Sequence, residues 1–215
     1  MTKQILLSVF LLPLFSFAQQ VSVLTNGSKL RYAQLTLFLD KDTNSSVAQV
    51  NVTYDQLATN FKSSIKDFHS AFPFGPYNKN TYKNLNEYTP VQLIDTRFTS
   101  FEEKLNYNSF NYFNQAPLKK EFIQTLNHLN DSLYNHLLET QSNAEITSGV
   151  IYDGKKSFAR VKVPAYFFVI FITDKKKISI WYLDAATGIL AATSTENITK
   201  LAEANKNFLR ISKNN

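Results

Sequence analysis

The chain has 215 residues, 23 Lys and Arg against 17 Asp and Glu, a formal charge of +6 and no cysteine. That length suits one large domain or two small ones, and the missing cysteine excludes disulfides, thiolate metal sites and thiol nucleophiles. The positive excess lies in the last third: residues 145–215 carry 11 basic and 6 acidic side chains, whereas residues 19–144 carry 11 of each. A long-range pull toward an anionic surface would act from that end, although a solvated face has the same composition.

The N-terminus reads as a secretory signal peptide: Lys3, the apolar run Ile5–Phe17, and the small-x-small site Ser16-Phe17-Ala18 before Gln19. Pro13 interrupts that run, which is too short to span a bilayer, and no later segment reads as transmembrane. With no cysteine after the apolar run, a lipoprotein anchor is excluded. Export without disulfides fits a bacterial envelope, so a periplasmic or extracellular protein is expected. Residues 1–18 are the leader, and residues 19–215 read as a single domain whose one offered subdivision lies near 106–117.

Val21–Thr25 reads as a first strand ending at the Asn26-Gly27 turn. Leu30–Leu39 and Val47–Tyr54 read as a hairpin around Asp40–Ser46. Asp55 then stands at an N-cap, and Leu57, Phe61, Ile65, Phe68 and Phe72 form one helical stripe that Pro73 ends. Pro73–Tyr88 is irregular. Thr89-Pro90-Val91-Gln92 has the form of a capping box with Pro at the first helical position, followed by Val91, Ile94, Phe98, Phe101 and Leu105 at helical spacing. Their β-branched content leaves a strand at 91–98 as the alternative. Asn106–Asn114 reads as a second aromatic, Asn-rich loop. Pro117 opens the strongest predicted helix, with Leu118, Phe122, Leu126, Leu129, Leu133 and Leu137 on one face through about Gln141.

Strands dominate from there. Glu145–Tyr152 and Ser157–Val163 flank a turn at Asp153-Gly154-Lys155. Ala165–Thr173 is apolar on both faces, the pattern of a central strand. Asp174–Lys177 breaks it, Ile178–Leu183 resumes, and Asp184–Gly188 turns again, with Gly188 at the position needing positive φ. Ile189–Thr193 is the next strand. Thr195 caps a last helix with Ile198, Leu201, Ala202, Asn205, Phe208 and Leu209 inward, and the tail after Ile211 is expected to fray. Helices and strands are segregated, which predicts an α+β fold: an antiparallel sheet from the C-terminal meander, packed by the long helix at about 117–141 and other amphipathic helices.

The chain lacks a Walker A loop, GxGxxG, HExxH and GxSxG. Its three histidines are His69, His128 and His136. The last two share a helix but stand about 80° apart around its axis, a poor disposition for sharing a metal. No catalytic residue and no cofactor follow from this. Asp40, Asp42 and Asn44 alternate like the opening of a calcium loop, but Ser45 and Asn51 stand where such a loop needs Gly and Glu. A polar hairpin tip accounts for them, and no calcium dependence is expected. Tyr77, Tyr82, Tyr88, Tyr107 and Tyr112, set among asparagines, offer flat faces with polar tips that suit sugars or peptides, unless they fold back on the core. With Lys175, Lys176 and Lys177 they form the candidate ligand or partner surface. An envelope protein, a glycan or an anionic surface is the expected partner, and export argues against nucleic acid.

Ile180-Trp181-Tyr182-Leu183-Asp184-Ala185-Ala186-Thr187-Gly188-Ile189 resembles the closing strand and turn of PepSY-type domains, a likeness limited to the C-terminal hairpin region. The resemblance implies a small envelope or extracellular module, of a kind some of which are thought to restrain proteases, with no catalytic residues. The function expected from sequence is an exported, non-catalytic envelope protein acting as a binding or assembly module. The alternatives are a PepSY-like inhibitory or chaperoning domain, and an enzyme of an unrecognised class using paired carboxylates.

Overall fold

The computed structural model describes residues 20–25, 27–32, 34–40, 44–59, 86–158, 161–175, 177–205, 207 and 209–214. The expected leader, residues 1–18, and the stripe residues Phe61, Ile65, Phe68 and Phe72 lie outside them. In chain order the strands and helices are β1 (Gln20–Thr25), β2 (Lys29–Tyr32), β3 (Leu35–Leu39), β4 (Ser45–Val52), α1 (Tyr54–Ala58), β5 (Tyr88–Gln92), α2 (Glu103–Ser109), β6 (Gln115–Lys119), α3 (Ile123–Thr140), β7 (Ala144–Phe158), β8 (Val161–Thr173), β9 (Ile178–Asp184), β10 (Leu190–Ala192), α4 (Thr195–Ala204) and β11 (Leu209–Asn214). The fold is α+β, as the segregation of elements predicted.

A seven-stranded antiparallel sheet runs β10-β9-β8-β7-β4-β3-β2. The apolar run in β8 explains why this sheet is covered on both sides. Phe167, Val169 and Phe171 enter one core, and the alternating Phe168, Ile170 and Ile172 enter the other. That is the period-2 behaviour of a strand buried on both faces. Leu126, Leu129, Leu133 and Leu137 of α3 roof the first face, with Leu57 of α1 and Ile94, Phe98, Leu105 and Leu118 filling its edges. Ile198 and Ala202 of α4 and Leu209 and Ile211 of β11 cover the second. Gly149 in β7 lets Phe168 lie against the strand, because a Cβ there would stand 2.5 Å from the ring and 2.6 Å from the Ser46 carbonyl.

Several sequence expectations need correction. The predicted helix from Thr89 is instead β5, a 3-10 turn at Thr96–Phe98 and the short α2. Residues 88–92 pair with β6, where Pro90 faces Pro117 across the ribbon. Two prolines can face one another only where the ladder asks neither for an N–H. Pro117 therefore sits inside a strand. Helix α3 begins only at Ile123, after a 3-10 turn at Lys120–Phe122, and ends at Gln141 in the left-handed conformation (φ 48°). Thr53, not Asp55, caps α1 and forms a capping box with Gln56.

Asp153–Lys155 is no hairpin turn. β7 continues through it as a bulge, and its register with β8 shifts between Tyr152 and Ser157. Ser157–Val163 is consequently divided between two strands. Ser194 rather than Thr195 caps α4, and Leu209 leads a strand instead of extending the helix. The expected frayed tail is β11, paired antiparallel along its length with β1.

Candidate functional site

The first half of β8 is walled differently from the second. Around Val163–Tyr166 the sheet meets the β5–β6 ribbon and the end of α4, leaving a pocket of about 250 Å³. Its polar groups come from separate elements: Tyr88 of β5, Lys119 of β6, Asp153 of the β7 bulge, Tyr166 of β8, Asp184 at the end of β9, and Asn205 capping α4. Sheet register explains the core of this arrangement. Tyr166 pairs with Asp184, and Tyr182, two residues before Asp184, lies on the same face. The Tyr166 and Tyr182 rings meet edge to face at 6.0 Å. Tyr88, itself buried, packs on Val163 to close the other wall.

Burial pushes the Tyr166 hydroxyl above the usual tyrosine range, and the negative charge of Asp184, the neighbouring Tyr182 and Asp153 push it the same way. Asp184 is held in place by its turn: Oδ1 accepts from Ala186 N at 2.8 Å and Thr187 N at 3.0 Å. Gly188 closes that turn at φ 75°, where a Cβ would stand 2.4 Å from Phe122 Cε1. Lys119 has its charge answered beside the pocket, by Glu121 at 3.4 Å and by the Phe122 ring, whose centroid is 5.4 Å away.

A second polar cluster lies at the side of α3. Arg97 bridges two carboxylates, with Nη1 2.7 Å from Asp95 and Nε 2.9 Å from Asp131. Asn130 donates to the same Asp95 oxygen at 3.4 Å. Nearby, the Asn106–Asn114 loop is knitted shut rather than presented. Asn114 exchanges hydrogen bonds with Ile94 (3.0 and 3.1 Å), and its amide also donates to Ser109 O at 2.8 Å.

The residues singled out from sequence are not brought together. Tyr88 and Tyr112 are buried, Tyr107 is exposed on α2, and Tyr77, Tyr82 and Lys176 lie outside the described residues. Lys175 and Lys177 reach α3: Lys175 donates to the Thr140 carbonyl, and Lys177 Nζ stands 3.5 Å from His136 Nε2. Asp40 and Asn44 do meet, but on each other. The Asp40 carboxylate accepts from Asn44 N at 2.8 Å and from Lys162 Nζ at 2.9 Å, an ammonium where a cation would have stood. Asp42 lies outside the described residues. Among the described residues no cluster of three or more His, Cys, Asp or Glu is placed to hold a metal. No helix among them is long and apolar enough to cross a membrane. Sequence reasoning missed Asp153, Tyr166 and Asp184 as a group, because only the β7–β8–β9 register places them side by side.

No family model and no curated protein matches the chain. Solved structures do: 133 chains match, so the fold recurs among known proteins. The chain is similar to one in the crystal structure of the EndoG/EndoGI complex, which concerns the mechanism of EndoG inhibition, at TM-score 0.66 and 17% identity, over 82% of this chain and 84% of that one. The likeness is one of fold. It counts against the expectation of an envelope binding or assembly module, since the chain that shares this fold comes from the EndoG/EndoGI complex.

Proposed function

We propose that the chain acts in nuclease control, by docking onto another protein rather than by cleaving nucleic acid. The observation that carries this reading is the fold likeness to a chain of the EndoG/EndoGI complex over 82% of its length. The state of its charged groups supports it. Arg97 is spent between Asp95 and Asp131, and Lys162 is spent on Asp40. His136 lies against Phe171 and Lys177. Groups so engaged hold structure and are poorly poised to move protons.

The test is plasmid cleavage by an EndoG-type nuclease with increasing amounts of the purified chain, alongside size-exclusion chromatography of the mixture. Cleavage should fall as the chain approaches equimolar amounts, with a co-eluting complex. Undiminished cleavage together with separate elution would overturn the proposal. So would magnesium-dependent cleavage of plasmid by the chain alone.

A further inference from the structure

We infer that β1 is a strap: it lifts from β11 on its own, baring the main-chain edge of that strand, while the rest of the fold stays closed. β1 and β11 form a two-stranded sheet apart from the seven-stranded one. Their ladder runs from Gln20 opposite Asn214 to Thr25 opposite Leu209. A lone two-stranded ribbon is marginally stable in water, so each strand depends on what else holds it. The two are held very differently. β11 sets Leu209 and Ile211, both buried, into the second core. Its main chain is tied to α4 as well: Thr199 Oγ1 accepts from Ile211 N at 3.4 Å and donates to the Ile211 carbonyl at 3.5 Å. β1 has less. Among its described side chains, Val23 packs partly buried against that core, Ser22 is exposed and Leu24 is 53% exposed.

The backbone pattern identifies the bonds that open. In an antiparallel pair, alternate residues point their N–H and C=O groups at the partner strand. Ile211 points both of its groups at Thr199, so Arg210 and Ser212 face β1. Their partners there are Leu24 and Ser22. The strap also has a fixed base. Ser28 O accepts from Leu39 N at 2.9 Å. A Cβ on Gly27 would stand 2.2 Å from the Leu39 and Asp40 carbonyl oxygens, so the chain lies hard against the end of β3 where the strap begins. Lifting β1 therefore leaves β2 in place. Elements held by few buried contacts open locally, at a fraction of the cost of unfolding the whole chain. An edge stripped of its strand offers unpaired N–H and C=O groups, a seat to which another extended chain can add. β1 is the resident that keeps this seat filled.

The experiment follows amide hydrogen exchange in the full, ¹⁵N-labelled chain under native conditions. The amides of Ser22, Leu24, Arg210 and Ser212 should exchange about a hundredfold faster than those of Phe167 and Val169 in β8, while Ile211, bonded to α4, stays slow. A staple tests the motion directly. The chain has no cysteine, and Ser22 stands opposite Ser212. Ser22→Cys together with Ser212→Cys therefore gives a single disulfide across the ribbon. Once oxidised, it should slow the Leu24 and Arg210 amides by about tenfold or more, and reduction should restore the wild-type rates. Val23→Ala trims the strap's contact with the core. It should speed the β1 amides and leave those of β8 unchanged. One common rate for β1 and β8 would overturn the inference, and so would Ile211 exchanging as fast as Ser212. A staple that fails to form, or that forms without slowing exchange, overturns it too. So does a Val23→Ala variant in which β8 is speeded as much as β1.

Discussion

At the scale of single residues, position in the sheet decides what a side chain does. Val169 sits mid-strand in β8, between Ser148 and Trp181 on its neighbours, and is 4% exposed. Val169→Asp would put a carboxylate in an apolar layer without a partner, at a cost of at least about 3 kcal/mol. Circular dichroism melts should show the variant unfolded or shifted far down, and a native-like melt would defeat the assignment of both faces as core. Tyr166 carries a subtler consequence. Its hydroxyl holds its proton more tightly in the folded chain than in the unfolded one. Its contribution is therefore intact below the ordinary tyrosine value near pH 10, and is lost as pH rises through and above it. Urea unfolding from pH 8 to 11 should show stability falling at the alkaline end, and Tyr166→Phe should flatten that fall. The burial of Val169 was legible from its run of apolar neighbours. The surroundings of Tyr166 were not, because Asp153 and Asp184 reach it from other strands.

At the scale of elements, periodicity read well where packing enforced it. The Leu126–Leu137 stripe, the double-sided β8 and the pairing of β3 with β4 follow from their apolar patterns, whereas the single strand expected over Leu30–Leu39 is itself folded into the antiparallel pair β2 and β3. Reading failed where local preference and tertiary pairing disagree. Thr89-Pro90 and Pro117 resemble helix starts, yet each proline is accommodated by facing the other across a two-stranded ribbon, an arrangement no single segment announces. Lys175 illustrates the reverse error. From sequence the lysine-rich turn reads as part of an outward partner surface. In the fold, Lys175 donates to the Thr140 carbonyl in the last turn of α3, where a cation also meets the negative end of the helix. Lys175→Glu reverses that charge at the helix end and should destabilise the chain by about 1 kcal/mol. Thermal melts of the single variant check this, and an unchanged midpoint would return the turn to a solubility role.

At the scale of the whole molecule, the fold class could be read from the order of elements, but the likeness to a solved structure could not: at 17% identity the resemblance to the EndoG/EndoGI chain is one of fold alone. Export remains a proposal drawn from Lys3, Ile5–Phe17 and the Ser16-Phe17-Ala18 site. Mass spectrometry of the protein from its native source should find Gln19 first, and a chain beginning at Met1 would refute it. The β1–β11 ribbon has one more consequence. Gln20 lies opposite Asn214, so the two ends of the described chain stand side by side. Between Gln20 and Asn214 the described chain thus returns to where it started. A short peptide from Asn214 to Gln20 would close that stretch into a ring, and it could be reopened at the Asp184–Gly188 turn between β9 and β10 with every strand keeping its neighbours. The order in which this fold is written along the sequence is one cut of a closed path.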